Sequence, residues 1–282
     1  MNVLTFDIEE WFHILDNDST KTINEWSNYE SRIHDNIHKI FSLLDNSKLR
    51  ATFFVVGWIA EKYPQIIKEI DNLGYEIGSH TNMHQLMYEQ TRKEVNDDIS
   101  KSIDIIQNIT GKKVRAFRAP GFSITERNKW VFEVLAENDI THDCSIFPAG
   151  RAHGGFPSYT QSKPSIIDIN GYMIKEFPIN TASIFGAKWI YSGGGYFRLT
   201  PYKFIKYWTN SSDYVMTYFH PRDFDPEQPI IKELSLFRKF KSYVGLKNCW
   251  EKLRKWTDDF DFTDLEGLDN SINWSEVPII KI

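Results

Sequence analysis

The stretch NVLTFDIEEWF, Asn2–Phe12, joins an apolar run to a group of acidic residues. Its first seven residues predict a buried strand. Asp7 and Glu9 stand at the end of that strand, and because side chains alternate along a strand, both point to the same side. Glu10 follows directly. Such an arrangement predicts a strand that delivers carboxylates to a functional site.

Helices and strands alternate along most of the chain. Further strand-like runs are ATFFVVG from Ala51, YEIGSH from Tyr75, VRAFRAP from Val114 and DYVMTYFH from Asp213. Helical patterns separate these runs, and the clearest is RKEVNDDISKSIDIIQNITG, Arg92–Gly111. This rhythm predicts an α/β fold, a mostly parallel sheet or barrel with helices outside. Folds of this kind place their chemistry at the carboxyl ends of the strands.

The composition is that of an ordinary globular protein. The 282 residues, 41% of them hydrophobic, can bury the core of one large domain. Lysine and arginine number 33 against 38 acidic residues, with no long basic run, so nucleic acid is not an expected partner. The sequence lacks the basic start and apolar core of a secretory signal, and no run approaches the roughly 18 apolar residues of a membrane span. With two distant cysteines, Cys144 and Cys249, these features predict a cytoplasmic protein.

The C-terminal part differs from the rest. We predict a main domain over residues 1–225 and a helical extension over residues 226–282 that packs on it. The extension carries the basic segment LFRKFKSYVGLKNCWEKLRKW, Leu236–Trp256. A basic helical face is either solvated or makes a weak peripheral contact with an anionic membrane. Its cations include Arg238, Lys239, Lys241, Lys247, Lys252 and Lys255.

Polar residues recur at the predicted strand ends. His80 ends YEIGSH, and His84 lies on the same face as His80 if the chain turns helical there. Arg118 ends VRAFR and His220 ends VMTYFH, whereas Asp143 opens DCSIF. Because the carboxyl ends of parallel strands meet at one edge, we expect these groups to share a site.

Two histidines and a carboxylate are the ligands of a catalytic zinc that keeps one position open for water. The same ligands suit cobalt, nickel, manganese or iron, so the pattern predicts one divalent metal ion without choosing among them. Spacing alone is a weak signal. His34 and His38 also stand four apart, but beside the apolar stripe of an amphipathic helix, which favours a helix boundary face over a metal site.

Five motifs in order carry a resemblance to a known family: TFDIEEWF, EIGSHTNMH, FRAPGFSI, DCSIFP and YFHP. They resemble the motifs of the polysaccharide deacetylases of the chitooligosaccharide deacetylase type, carbohydrate esterase family 4. The resemblance spans residues 1–225. SGGGYFRLTPY and YFHPRDFDP further resemble the branch found with bacterial exopolysaccharide and surface-glycan synthesis. The family resemblance implies a deformed (β/α) barrel with fewer than eight strands.

The resemblance also implies roles for the residues at the strand ends. It implies Asp7 as the general base, paired with Arg118, and His220 as the general acid, with Asp143 as its orienting partner. It implies one divalent metal ion, zinc before the alternatives, on Glu9, His80 and His84. The family commonly has two adjacent aspartates where this chain has spaced acids, and because glutamate reaches about one carbon further, Glu10 stays open as the carboxylate ligand.

The residues around these motifs give expectations about substrate contacts. The segment RAPGFS has Gly121 where the family commonly has an aromatic residue, and its N–H is the expected oxyanion donor. Trp11 and Tyr196 are candidates to stack on sugar faces, whereas core packing is the expectation for Phe12 and Phe197. Glycines 193–195 are expected to make a turn or a close backbone approach, because no phosphate-loop lysine and helix follow them.

The function implied is metal-dependent removal of an acetyl group from an N-acetylamino sugar, with release of acetate. The sugar is expected in a bacterial polysaccharide, a lipid-linked glycan or a precursor of one, so an N-acetylated carbohydrate is the expected partner. Two alternatives stay open. One is an inactive carbohydrate-binding relative, and the other is an O-deacetylase or another amide hydrolase on the same metal site.

Overall fold

The structure, a computed structural model, describes residues 1–15, 17–151, 153–184 and 186–282 of the chain. Within them the strands are β1 (Asn2–Val3), β2 (Thr5–Ile8), β3 (Thr52–Val55), β4 (Glu76–Ser79), β5 (Ala116–Phe117), β6 (His142–Asp143), β7 (Ser165–Ile169), β8 (Tyr172–Glu176), β9 (Ala182–Ile184), β10 (Ala187–Trp189), β11 (Val215–Met216), β12 (Phe262–Thr263) and β13 (Ile279–Lys281). The α-helices are α1 (Ile23–Trp26), α2 (Ile33–Ser47), α3 (Gly57–Lys62), α4 (Pro64–Asn72), α5 (Arg92–Thr110), α6 (Val131–Glu137), α7 (Gly194–Leu199), α8 (Tyr202–Asn210), α9 (Leu236–Tyr243), α10 (Leu246–Asp259) and α11 (Leu265–Ser271).

A parallel sheet forms most of a barrel wall. Strands β2 to β6 follow one another in space, each parallel to its neighbour, and β8 continues the sheet beside β6. On the other side, β1 runs into β2 and lies between β11 and β12, parallel to both. With β1 and β2 taken as one strand, seven strands of the described chain form the barrel wall, namely β1/β2, β3, β4, β5, β6, β8 and β11. The predicted α/β fold, a deformed barrel with fewer than eight strands, is confirmed.

Side chains close the barrel between β8 and β11, where the described strands share no backbone ladder. The N–H of Met216 in β11 donates to Asn180 Oδ1 at 3.1 Å, and the hydroxyl of Tyr214 donates to the carbonyl of Pro178 at 2.8 Å. Gly193 packs against the same end of the barrel, where a Cβ would lie 2.2 Å from the carbonyl oxygen of Tyr218. The predicted close backbone approach at the glycine run is therefore confirmed.

Helices cover the barrel with their apolar faces. All residues of β2 and β3 are buried, as expected for parallel strands with helices outside. The helix predicted over Arg92–Gly111 is confirmed as α5, which begins with a capping box between Thr91 and Glu94 and ends at Gly111 with a φ of 69°. These local signals were readable in the sequence because each end of the helix carries its own cap.

The C-terminal segment is not purely helical, and this part of the domain prediction is wrong. Its strand β12 pairs with β1, and its strand β13 pairs with β7. Residues 226–282 therefore add one strand to the sheet of β1 and one to the sheet of β7. The N–H of Leu265 also donates to the Thr52 hydroxyl at 2.8 Å. Strands of two and three residues carry too little periodicity to be recognised, and their pairing partners lie far away in the sequence.

The basic segment of that region divides into α9 and α10 at Gly245. Lys252 in α10 donates to the carbonyls of Phe197, Arg198 and Thr200, each at 2.9 Å, and thereby caps the end of α7. It is therefore not free to contact a membrane. None of the described helices has both the length and the apolar character that crossing a bilayer requires.

Glu76 gives this packing a pH dependence. At the start of β4, its carboxylate accepts from the Thr52 hydroxyl at 2.6 Å and from the Glu266 N–H at 3.1 Å. Burial raises the pKa of Glu76 from 4.5 to about 7. Between these pH values the folded chain keeps a proton that the unfolded chain loses. The free energy of unfolding therefore falls as the pH rises from about 4.5 to about 7, and the loss stays constant above that range.

The side chain introduced by Glu76→Gln remains neutral at every pH. We therefore expect the free energy of unfolding of this variant, relative to that of the wild type, to be higher at pH 8.5 than at pH 5, by roughly 1–2 kcal/mol. Urea unfolding at the two pH values measures this gain. Glu227→Gln removes an exposed carboxylate and serves as the control, with the same small effect expected at both pH values. A Glu76→Gln effect that is independent of pH contradicts the prediction.

Candidate active site

Most of the predicted site residues meet in a cavity of about 320 Å³ at the carboxyl ends of the barrel strands. Asp7 ends β2, and Glu9 follows it at the cavity wall. His80 follows β4, and His220 follows the extension of β11. Parallel strands therefore bring together residues that are more than 200 positions apart in the sequence.

Glu9, His80 and His84 form a cluster of potential metal ligands. One donor atom from each lies within 4.8 Å of the others, and all three side chains are buried. His80 Nδ1 lies 2.7 Å from the carbonyl oxygen of Arg118. Because a carbonyl only accepts, Nδ1 carries the proton and Nε2 keeps its lone pair.

Electrostatics also suit this cluster to a cation. Burial lowers the pKa of His80 to about 4, so its imidazole is neutral near pH 7. Burial opposes ionisation of Glu9, but His84 and His220 outweigh it and hold the pKa of Glu9 well below its usual range. His84 Nε2 lies 2.5 Å from Glu9 Oε2. A neutral imidazole and an ionised carboxylate are the forms in which these side chains bind metal.

The chain between the two histidines is not helical, so the helical turn considered for His84 is wrong. Thr81 and His84 both adopt left-handed backbone conformations, with φ of 65° and 50°. Asp98 of α5 holds the loop, accepting from the N–H groups of Asn82 at 2.8 Å and Met83 at 3.0 Å. The ligand pair thus depends on a loop whose shape the spacing of the histidines does not reveal.

Glu10 faces away from the cluster. Its carboxylate accepts from the Ser31 hydroxyl and from the N–H of Arg32 at 3.2 Å, and so caps the start of α2. Burial raises the pKa of Glu10. Of the two glutamates left open as ligand, Glu9 therefore lies in the cluster, as the alternation of the strand favoured, and its role as a ligand stays a prediction.

Arg118 and Asp7 are paired in the structure, and the role of Asp7 as the base stays a prediction. Arg118 Nη1 donates to Asp7 Oδ1 at 2.7 Å, and both side chains are buried. The other carboxylate oxygen, Oδ2, lies 3.8 Å from His220 Nε2. One oxygen of Asp7 is therefore held by the arginine, while the other faces the candidate acid.

Asp223 orients His220, so the prediction that Asp143 does so is wrong. His220 Nδ1 lies 3.0 Å from Asp223 Oδ2, which also accepts from the His220 N–H at 3.0 Å. Burial lowers the pKa of His220, but the carboxylates of Glu9, Asp223 and Asp7 outweigh it and raise that pKa to about 8. The motif HPRD places an acid three residues after the histidine, and this signal was available in the sequence.

Asp143 has a structural environment instead. Its carboxylate accepts from the Ser145 hydroxyl at 2.7 Å and the Ser145 N–H at 2.9 Å. Ser145 Oγ in turn accepts from the Ala119 N–H at 2.8 Å. Burial raises the pKa of Asp143, and burial together with Asp143 raises that of its neighbour Glu176. Asp143 therefore supports the chain that carries Arg118.

The predicted substrate-contacting residues divide into two groups. Gly121 and Tyr196 lie in the cavity wall. Trp11 does not, and the prediction that it stacks on a sugar is wrong, because its ring packs on Phe12 and its Nε1 donates to the Glu30 carbonyl at 2.9 Å. Phe12 and Phe197 are buried in the core, as expected.

Gly121 occupies a position that favours glycine. Its φ is 61°, and a Cβ there would lie 2.7 Å from Leu15 Cδ1. This accounts for the departure from the aromatic residue common in the resembled family. The role of its N–H as an oxyanion donor stays a prediction.

Sequence reasoning missed several residues of the cavity wall. His13 is buried there, its ring 5.6 Å from that of His84, and its Nε2 has no hydrogen-bond partner among the described residues. The other members of this group are Arg151, Arg198, Tyr218 and Arg222. Only their closeness in sequence to predicted motifs, as for Tyr218 and Arg222 beside His220, could have indicated them.

The pair His34 and His38 shows no sign of a metal site. His38 Nε2 lies 3.1 Å from a carboxylate oxygen of Glu69, and the His34 ring packs on Tyr63. Within the described residues, the one cluster suited to a metal is that of Glu9, His80 and His84.

Comparison with known proteins identifies the family. Residues 3–140 match the family model described as "Polysaccharide deacetylase". These residues belong to this family. Residues 144–269 match a second model, described as "Domain of unknown function (DUF3473)". The two matches meet within the barrel, at β6, whereas the predicted domain boundary lies at residue 225.

Individual relatives agree with the family assignment. The chain is 35% identical over 96 residues to a peptidoglycan-N-acetylglucosamine deacetylase of Bacillus cereus, a match that covers 34% of this chain and 35% of the relative. The matched regions thus span about a third of the length of the first curated relatives.

Solved structures share the fold at low identity. A crystal structure assigned to a polysaccharide deacetylase from Mycobacterium smegmatis superposes with a TM-score of 0.64 at 13% identity, covering 98% of this chain and 91% of that one. A mutant, with restored enzymatic activity, of a pseudoenzyme of carbohydrate esterase family 4 gives 0.50 at 14% identity, covering 99% and 69%.

The family comprises deacetylases, which are hydrolases, and is generally metal-dependent. The residues of this chain fit a divalent cation. The cluster supplies one ionised carboxylate and a neutral imidazole whose Nε2 lone pair is left available by the bond from Nδ1 to a carbonyl.

We expect Glu9→Gln to lower the affinity for zinc or cobalt at least about 100-fold, because the cluster loses its only negative charge. Glu10→Gln makes the same change one residue away. It should leave the affinity within about threefold and lower the free energy of unfolding by about 1 kcal/mol, because it weakens the cap of α2. Calorimetric metal titration and urea unfolding measure the two effects. Equal loss of metal in both variants contradicts the assignment of Glu9.

Proposed function

We propose that this protein is a metal-dependent N-deacetylase that removes acetyl from an N-acetylamino sugar of a bacterial polysaccharide, a lipid-linked glycan or a precursor. The observation that carries the proposal is the joint geometry of one cavity: a ligand cluster, a carboxylate held by an arginine, and a histidine held by a second carboxylate. A site for binding alone has no use for a base and an acid so arranged.

Glu9, His80 and His84 would hold the metal ion, and we propose zinc, with cobalt, nickel, manganese and iron as alternatives. When bound, a divalent cation supplies Lewis acidity toward the acetamide carbonyl and acidifies water. His80 is positioned for this role by the Arg118 carbonyl, and the same arginine holds the base through its side chain. One residue thereby links ligand and base.

Asp7 is the proposed general base. Arg118 donates to Oδ1 and fixes the carboxylate, so Oδ2 faces the cavity and accepts the proton of the attacking water. The oxygen of that water forms the new bond to the acetyl carbon. Thr5 also receives a hydrogen bond from Arg118 Nη1, at 2.7 Å, which restricts the guanidinium to one orientation.

His220 is the proposed general acid. Asp223 accepts from Nδ1, which leaves Nε2 on the cavity side, 3.8 Å from Asp7 and 3.9 Å from Glu9. With a pKa raised to about 8, the ring carries a proton near pH 7. Transfer of the Nε2 proton to the sugar nitrogen allows the C–N bond to break, giving acetate and a free amine.

Two other functions use the same residues differently. An O-deacetylase needs the same base and metal, but its alcohol leaving group depends less on the acid. An inactive carbohydrate-binding relative remains the hypothesis from another class, since the compared structures include a pseudoenzyme. The complete set of base, acid and ligands in this chain favours an enzyme.

The cytoplasmic location and the membrane contact stay predictions. For the membrane contact, Leu236, Phe237 and Phe240 of α9 are exposed, next to lysines of the same helix. Against it, Lys252 is occupied within the fold. A role in surface-polysaccharide synthesis likewise depends on the substrate.

We expect the wild type, stripped of metal and then supplied with zinc, cobalt or nickel, to release acetate from at least one member of a panel of N-acetylated glycans and nucleotide sugars. His80→Ala and Asp7→Asn should lower kcat about 100-fold or more. O-acetylated sugars in the same panel distinguish the two deacetylases. Stoichiometric metal binding with no acetate from any substrate would sink the proposal and favour the inactive relative.

With Asp223 in place of Asp143 as the partner of His220, we expect different results from substitutions of these two aspartates. Asp223→Asn should lower kcat roughly 10- to 1,000-fold with little change in KM or metal content, because His220 loses the group that orients it. Asp143→Asn should lower the free energy of unfolding while kcat falls by less than about tenfold, because Asp143 only supports neighbouring chain. Steady-state kinetics with metal analysis tests both. The reverse ranking of the two kcat values contradicts the assignment.

A further inference from the structure

The wall of the active-site cavity is strongly cationic apart from the catalytic groups. Acidic residues in the wall are Asp7, Glu9 and Asp223, and each already has a partner: Arg118, His84, and His220 together with Arg198. The cations of the wall, histidines aside, are Arg151, Arg198, Arg222, Arg238 and Lys241. The acids of the cavity therefore do not neutralise all of these cations.

Arg222 has an unused donor at this wall. It lies two residues after His220, on the short helix Pro221–Phe224. Its Nε donates to Gln228 Oε1 at 3.1 Å, and Gln228 Nε2 donates back to the Arg222 carbonyl at 2.7 Å, so the side chain is held in place. Its buried Nη2 has no hydrogen-bond partner, and no carboxylate among the described residues pairs with it. A buried charged donor without an acceptor costs free energy unless a ligand supplies the acceptor.

Arg151 and Tyr218, in the same cavity wall, also have donors without an acceptor. The Arg151 guanidinium lies over the rings of Phe122, Phe147 and Tyr218, at 4.9, 5.2 and 5.9 Å from their centroids. These rings contact its face but leave its edge donors free, and the buried Nη1 has no partner. The Tyr218 hydroxyl, on a side chain only 2% exposed, is likewise without a partner. Three residues of the cavity wall thus each carry a buried donor with no acceptor among the described residues.

We propose that these donors bind an anionic group of the substrate, a carboxylate or a phosphate covalently linked to the N-acetylated sugar or to the residue next to it. The inference rests on the proposed deacetylase function and narrows its substrate to negatively charged N-acetylated glycans. Guanidinium groups match both anions, because their parallel N–H bonds fit two oxygens at once. Tyr218 and Arg222 flank His220 in the chain, which puts the anion beside the group that protonates the leaving amine.

A carboxylate and a phosphate present the same chemistry here, so three substrates separate them. One is a neutral N-acetylglucosamine disaccharide, the second is a disaccharide in which a uronic acid is linked to N-acetylglucosamine, and the third is a nucleoside diphosphate N-acetylglucosamine. We expect kcat/KM of the metal-loaded wild type to be at least tenfold higher for one of the two charged substrates than for the neutral one. That preference should fall as the salt concentration rises.

Variants assign the preference to the named donors. Arg222→Gln and Arg151→Gln should each reduce the ratio of charged to neutral kcat/KM at least about fivefold, and Tyr218→Phe by a smaller factor. Lys247→Gln removes an exposed lysine outside the cavity wall and should leave the ratio unchanged. Metal content and circular dichroism establish that each variant is folded. A wild type without preference for charge, or a preference that survives in both arginine variants, overturns the inference.

Equilibrium binding keeps this test independent of turnover. The affinity of Asp7→Asn for the same three sugars is measured by calorimetry, with Arg222→Gln added in the same background. If no acetate is released from any substrate but a charged sugar binds at least tenfold more tightly, and Arg222→Gln abolishes the difference, the deacetylase proposal fails and the anion site stands. If acetate is released and all three sugars bind equally, the deacetylase proposal stands and the anion site fails.

Discussion

The guanidinium of Arg118 holds the centre of this fold. It is completely buried and donates to Asp7 and Thr5 of β2, to the carbonyl of Thr217 beyond β11, and to the carbonyl of Cys144 beyond β6. An unpaired charge at such depth would be strongly destabilising, so the strands that carry its partners must stay in register. The same requirement that stabilises the barrel therefore fixes the position of the proposed base.

The cavity also separates two histidines by their surroundings. His80 is buried against a carbonyl, and its pKa is lowered to about 4, whereas His220 lies among three carboxylates that raise its pKa to about 8. Near neutral pH one ring is therefore a neutral donor of a lone pair and the other an acid. This division needs no difference in the side chains themselves, because burial and nearby charge alone create it.

The ligand cluster and the barrel were predictable because strand alternation and the order of motifs constrain them locally. Asp7, Glu9, His80 and His84 each sit at or just after an apolar strand that the sequence displays. Asp143 was misassigned because the order of the motifs does not tell which of two acids reaches His220. The short helix after His220 brings Asp223 back to the histidine ring. Trp11 was misassigned because nothing in its neighbourhood indicates that Tyr29 and Phe12 cover it. The strands β12 and β13 were missed because they are short and pair across the whole chain.

The position of β1 has a consequence for how the chain folds. Both neighbours of β1, namely β11 and β12, come from residues more than 200 positions later in the sequence. During synthesis the first strand thus emerges long before the segments that complete its sheet, and its backbone groups lack those partners until most of the chain has been made. Contacts of such long range slow folding, because a large loop must close before they form. Strand β1, which runs into the strand that carries the proposed base, is therefore expected to reach its final environment late.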